Sequence, residues 1–368
     1  VERLLGELRE AKVDGVVVDL RNNGGGSLDE ATNLTGLFID QGPVVQIRDA
    51  SGRVEEKADR NPGVAWDGPL AVLVNRASAS ASEIFAAAIQ DYGRGVIIGE
   101  PTFGKGTVQN LLNMDNMARN ETPVYGDLKM TVQQFFRING GSTQLRGVTP
   151  ELSFPLTVAS DEFGESSYEN ALPWTAIAKA DYRQVADLKP ILPMLLARHE
   201  ARTSKNLEWK NFEAEITDAK TLRAQKSISL NEATRASERD AEEAKRKQRE
   251  AVIAEVEARE DAAAAVADKS GSAASGKPLL DADAKPAVPA VDDADDVDTS
   301  MVLADDGLQP GERSIRSERQ REEQRKARRD VVLREAAHIL SDEIDLIRNN
   351  TKLAARLLPQ QPATDAVD

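Results

Sequence analysis

The chain has 368 residues, more than one compact core accommodates, so two or three folded units are expected. Its 62 acidic residues outnumber 47 basic ones, and a net charge of -15 repels phosphate backbones, which argues against nucleic acid as a partner. Zero cysteine removes disulfides, thiolate zinc sites and cysteine nucleophiles, and no apolar run reaches the roughly 18 residues of a membrane span.

Residues 1–155 alternate helical and strand patterns as an α/β domain does. Val1 to Ala11 predicts an amphipathic helix with no basic and apolar leader before it, so the sequence reads as a fragment or a processed product. Gly15 to Leu20 is a short β-branched run fit for a buried strand, and it ends at Asn22-Asn23-Gly24-Gly25-Gly26. Ser27 or Asp29 would cap a helix running to Phe38, and GPVVQIRDASGRVEEKA predicts a hairpin turning at Ser51-Gly52. A second buried strand, Leu70 to Val74, leads through three alternating serines into a helix ending near Tyr92. Gly95 to Gly99 is a third apolar strand, and LKMTVQQFFRINGGSTQL predicts two extended segments around Asn139-Gly140-Gly141.

From residue 156 the texture turns helical, and 156–261 is expected to form the first part of a separate helical domain. NALPWTAIAKADY and LKPILPMLLARHEA are apolar enough to pack, whereas Ala233 to Glu260 is strongly charged. Residues 262–311 are rich in Ala, Asp, Pro, Gly and Ser, with nine Asp against one Lys between Asp281 and Asp306, so a disordered acidic linker is expected. Residues 312–368 resume the helical domain, with an apolar stripe at Leu333, Ala337, Leu340, Ile344 and Ile347.

Gly99-Glu100-Pro101-Thr102-Phe103-Gly104-Lys105 has the G-x-x-x-x-G-K spacing of a phosphate loop. Gly106 stands where such a loop needs a hydroxyl for magnesium, and Pro101 removes a backbone donor, so nucleotide binding is the weaker reading. A lysine between glycines has another use, because desolvation strips an ammonium of its proton and a neutral lysine is a base. Its nucleophile would be a serine at a strand-to-helix turn, where free helix N–H groups face a developing oxyanion. LVNRASASASEIF offers Ser78, Ser80 and Ser82, each equally suited to cap the helix.

Three segments in order, DLRNNGGG at 19–26, SASASEIFAAAIQDYGRG at 78–95 and GEPTFGKGTVQ at 99–109, resemble the C-terminal processing peptidases, in particular the tail-specific proteases of the Gram-negative periplasm. The resemblance covers roughly residues 13–155, and the helical remainder resembles the C-terminal extension of those proteases. It implies a crotonase-like α/β core and a serine nucleophile 25 positions before the lysine, which selects Ser80 for Lys105. It implies Gln109 as third member; in an extended segment 105, 107 and 109 share one face, so Gln109 would orient the amine. The implied oxyanion donors are the N–H groups of Ala81 and Gly26, with Gly25 as the alternative, and no cofactor or metal is called for.

By the same resemblance the substrates are periplasmic proteins with apolar C-termini, cleaved in envelope protein processing and turnover. It leaves room for a lipoprotein adaptor on the helical part and for peripheral membrane association. The peptide-binding PDZ module that family members carry upstream is not in this sequence. A scaffold of the same fold that had lost catalysis would lack Ser80, Lys105 or Gln109, and all three are present. Asp19, Arg21 and Glu83 read as structural, a strand-end ion pair and a first-turn carboxylate. His199 and His338 lack metal-ligand spacing, and Trp66, Trp174 and Trp209 read as packing anchors.

Overall fold

The computed structural model of the protein describes residues 1–120, 122–269 and 330–349. Of the expected acidic linker, 270–311 lies outside the described residues, as does 312–329 of the last helical segment. The chain divides into two compact units, Val1–His199 with Val332–Asp368, and Glu200–Val331.

The first unit is built on two sheets. Strands β1 (Val16–Asp19), β4 (Leu70–Val74), β5 (Val96–Gly99) and β8 (Leu152–Ser153) form a parallel sheet in the order β1-β4-β5-β8. Every residue of β4 is buried, which is why its sequence is the unbroken apolar run Leu-Ala-Val-Leu-Val. Strands β3 (Val54–Asp59), β2 (Gly42–Asp49), β7 (Asp127–Phe136) and β6 (Thr107–Asn113) form an antiparallel sheet in the order β3-β2-β7-β6. The β2–β3 hairpin turns at Ser51-Gly52 as expected; Asp49 Oδ1 accepts from the N–H groups of Ser51 and Arg53, and Gly52 takes φ 84°.

Helix α3 (Ala81–Tyr92) serves both sheets. Phe85, Ala86 and Ile89 pack with Leu70, Val72 and Ile97 of the parallel sheet, while Ala81, Ile84, Ala88 and Tyr92 pack with Val44, Val45, Ile47 and Phe135 of the antiparallel one. All its residues except Gln90 are buried, so its sequence has no polar face, and its three consecutive alanines suit close approach from two sides. Helix α1 (Glu2–Glu10) matches its expected span, and α2 (Leu28–Gly36) is capped by Ser27, whose hydroxyl accepts from Glu30 N–H. A short helix α4 (Met114–Ala118), unforeseen, follows β6.

Two expectations fail here. Residues 170–182, read as a helix, run extended instead: Ile177 N–H bonds Gly140 O at 2.9 Å and Ala180 N–H bonds Ile138 O at 2.8 Å. Pro173 stands inside this stretch, and neighbouring backbone supplies the hydrogen bonds that a helix would have made internally. The Asn139-Gly140-Gly141 turn does not join two strands, because β7 pairs with β2 and β6 while residues 142–147 form a loop.

Domain boundaries differ too. Residues 156–199 belong with the α/β core, and so does helix α8 (Val331–Arg348) from Val332 onward. Helix α5 (Leu192–Thr203) brings His199, whose Nδ1 lies 2.7 Å from Glu335 Oε1 while the ring stacks on Phe154. His199 is thus a packing residue, and His338 is exposed. On α8, Leu340 and Ile344 fill the space a side chain at Gly15 would need, at 3.0 Å.

In the second unit, α6 (Leu207–Ala224) packs on α7 (Glu232–Lys269), with Asp218 ion-paired to Lys245 and Arg249. Helix α7 continues through Lys269, so the first residues of the segment expected to lack structure are helical.

Glu343 of α8 is 4% exposed, and its Oε2 has no hydrogen-bond partner among the described residues. Arg94 is nearby, but its guanidinium is spent on the carbonyls of Phe38, Trp66 and Gly68. Burial pushes the Glu343 carboxyl up to about 8 against the opposing pull of Arg94. The folded protein therefore holds a proton that the unfolded chain releases near 4.5, and stability declines as pH rises from there towards about 8. Glu343→Gln should remove that decline, lifting the thermal midpoint at pH 8 by about 2–4 °C and leaving it nearly unchanged at pH 4. Parallel pH profiles for parent and variant would refute this account.

Candidate active site

Three loops converge at the C-terminal ends of β1, β4 and β5, where open parallel sheets place their ligands. The first, after β1, is held by two asparagines. Asn22 and Asn75 exchange hydrogen bonds of 3.0 and 2.7 Å, and the Asn23 carbonyl accepts from Ala79 N–H and Ser82 Oγ. Gly25, at φ 101°, lies so close to the second loop that a Cβ there would stand 2.7 Å from Ala81 N and 2.8 Å from Ser80 Cβ. Only glycine fits. Its N–H is committed to Asn23 Oδ1, whereas the N–H groups of Gly26 and Ala81 have no partner among the described residues.

The second loop carries the three serines, and the structure separates them. Ser78 is fully buried, donating to Leu20 O at 2.7 Å and accepting from Asn75 N–H. Ser82 donates to Asn23 O at 3.0 Å. Ser80 sits at the turn into α3 with φ 57° and ψ −114°, a conformation that costs a non-glycine residue on the order of 1–3 kcal/mol. Such a turn thrusts a side chain out at the head of a helix, where the unfilled N–H groups lie.

The third loop, residues 100–106, carries Lys105. It leads into β6 and not into a helix, so it has no helix N-terminus to cradle phosphate, and the N–H groups of Gly104 and Lys105 are both engaged. Lys105 is half-buried, and its amine has no hydrogen-bond partner among the described residues. Burial, and next the charge of Lys129, hold its pKa below the ordinary lysine value, against the opposite pull of Glu165 and Glu83.

Glu83 ties the second and third loops together. Its Oε2 accepts from Ser80 N–H at 2.8 Å and Lys105 N–H at 2.9 Å; its Oε1 accepts from Thr102 Oγ1 at 2.6 Å and Gly104 N–H at 2.8 Å. Burial pushes this carboxyl up to about 7 while the donors pull the other way. All four partners are donors, so the geometry holds the ionised form. By sequence Glu83 reads as a first-turn carboxylate. The available signal was its place three residues after Ser80, the spacing of a capping box.

Gln109 is not joined to Lys105. The exposed Gln109 amide instead donates across the β6–β7 pair to Thr131 Oγ1 at 3.3 Å. Asp19 and Arg21 form the expected strand-end pair, at 2.6 Å. The indoles of Trp66, Trp174 and Trp209 donate to Pro69 O, Ser142 O and Glu213 Oε1, which agrees with packing roles.

Residues 1–154 match peptidase family S41, and residues 158–345 match the C-terminal domain of tail specific protease. The chain belongs to the tail-specific proteases of family S41. The tail-specific protease of Haemophilus influenzae is 44% identical over 249 residues, which cover 67% of this chain and 36% of that protein. The carboxyl-terminal-processing protease of Synechocystis sp. is 38% identical over 135 residues, 35% of this chain and 31% of that protein. A solved structure, the photosystem II D1 C-terminal processing protease, is 33% identical over 42% of this chain and 38% of that one, with a TM-score of 0.37. The chain spans about a third of the length of these relatives.

If Glu83 is the tie between the loops, Glu83→Gln should be strongly disruptive. The amide would turn its own N–H groups towards two donors that now face oxygen, a cost of about 1–3 kcal/mol. Urea unfolding should show that loss, and an unchanged midpoint would remove Glu83 from this role.

Proposed function

We propose that this chain carries the catalytic half of a serine endopeptidase that works through Ser80 and Lys105. One observation supports it most: of the three serines only Ser80 does not donate its hydroxyl to a main-chain carbonyl, and its N–H shares Glu83 Oε2 with the N–H of Lys105. Neutral Lys105 Nζ takes the Ser80 hydroxyl proton as Oγ bonds to the peptide carbonyl carbon. The resulting oxyanion is received by the N–H groups of Ala81 and Gly26. The C–N bond then breaks as the Lys105 ammonium returns its proton to the leaving amine. Water, deprotonated by Lys105, cleaves the ester and restores Ser80. Gln109 enters this scheme only by leaving Thr131 for the amine.

The substrates we assign are envelope proteins with apolar C-termini, cleaved in the periplasm, with an adaptor lipoprotein and peripheral membrane contact as further expectations. No helix among the described residues is long and apolar enough to cross a membrane.

Ser80→Ala should lower cleavage of an unstructured protein by at least about a thousandfold and abolish labelling by a fluorophosphonate probe. Lys105→Arg should be equally inactive, since a guanidinium does not give up its proton. In the parent, activity should rise with pH through the depressed lysine pKa, with a midpoint below about 10.4. Full cleavage by Ser80→Ala, or a midpoint at the ordinary lysine value, would overturn the assignment.

A further inference from the structure

Just beyond the Lys105 loop lies a group of apolar side chains that neither the packing of the core nor the proposed chemistry uses. Phe103 stands two residues before Lys105, and its N–H bonds Ser78 O at 3.0 Å. The Phe163 ring meets it edge to face at 5.5 Å, and Tyr168 lies 6.5 Å away, tilted. Tyr168 is 56% exposed and Leu172, on the same loop, 39%.

This loop is anchored from beneath by buried polar groups. Glu165 N–H bonds Phe103 O at 3.0 Å, Arg76 Nε bonds Phe163 O at 2.8 Å, and Gln144 Nε2 reaches both Glu165 Oε1 and Leu172 O. The other end of the Gln144 amide accepts from Gly106 N–H at 2.8 Å, next to Lys105. Arg76 and Gln144 are 4% and 1% exposed. Rigid, buried supports under an exposed aromatic surface are what a preorganised binding wall requires.

We propose that residues 163–172 and Phe103 wall a subsite beside Lys105 that receives an apolar side chain of the substrate at a residue flanking the cleaved bond. The inference rests on the reading of Ser80 and Lys105 as the reacting pair, and it gives that site a side-chain preference. The ring faces and Leu172 favour an apolar occupant, and the Glu165 carboxylate at the loop's start disfavours an acidic one. An apolar occupant also excludes water from Lys105, which strengthens the desolvation that keeps the amine neutral. Residues 163–172 fall in the stretch matched to the tail-specific protease C-terminal domain, so that region would contribute to substrate choice at the peptidase site itself.

The test is equilibrium binding, by fluorescence anisotropy, of peptides with Leu, Gly, Glu or Lys at the flanking residues to the full-length protein carrying Ser80→Ala. The Leu peptide should bind at least about tenfold tighter than the Gly peptide. Adding Tyr168→Ala or Leu172→Ser should reduce that preference to about twofold, whereas Tyr168→Phe should keep it. No preference in the first protein, a preference that survives both variants, or equal weakening of Leu and Gly peptides would each overturn the wall. A Lys peptide that outbinds Leu would also overturn it and make Glu165 the determinant. Fluorophosphonate labelling of the protein with Ser80 intact is scored separately: no labelling beside a clear Leu preference removes the peptidase reading and leaves the subsite.

Discussion

The Glu83 carboxylate is the constraint from which the site follows. Four donors from two loops meet on its two oxygens in a fully buried position, so neither loop can move without exposing an unpaired group. One of those donors is the backbone of Ser80 and another the backbone of Lys105, which cannot lie farther apart than the two bonds to their shared oxygen allow. The two side chains are thus located by main-chain geometry, and the Lys105 amine itself has no hydrogen-bond partner among the described residues. That freedom suits a base: a fixed hydrogen bond to the ammonium would favour the charged form and hold its proton.

Fixing Ser80 also requires a rigid helix behind it, since its left-handed backbone is strained and relaxes unless its surroundings forbid it. Helix α3 meets this requirement by burying both faces. At its far end Gly93 closes the helix with φ 63° under the carbonyl of Ala186, Tyr182 meets Tyr92 edge to face at 5.4 Å, and Arg94 is held by three carbonyls. Strain at one terminus is sustained by packing and hydrogen bonds along the whole length.

Much of this was legible in the sequence. The apolar runs Val16–Asp19, Leu70–Val74 and Val96–Gly99 are strands where expected, because a parallel strand covered on both faces has to be continuously apolar. Motif order points to Ser80 and Lys105, and the backbone N–H groups of both meet on Glu83 Oε2. What stayed hidden depended on partners remote in sequence. Residues 170–182 are helical by composition, yet the free carbonyls of Ile138 and Gly140 draw them out straight. Glu83 looked like any acid in a first helical turn because Thr102, Gly104 and Lys105 lie about twenty residues away. The resemblance names Gln109, but its amide is held by Thr131 Oγ1 of the neighbouring strand, a partner that spacing along one strand does not reveal.

The boundary between the two sequence families is not the boundary of the folded unit. The S41 match stops at residue 154, yet the strap that seals the C-terminus of α3, the loop that bonds Phe103 O and the helix that fills the space over Gly15 all come from later residues. Each covers something the first 154 residues leave open: the carbonyls of Tyr92 and Ile138, the Nε of Arg76, and the space at Gly15 just ahead of β1. An unpaired buried carbonyl or cation costs more than most single contacts return, so these later segments are requirements of the peptidase fold. The α/β unit is therefore completed by residues from later in the chain, both directly after residue 154 and from α8.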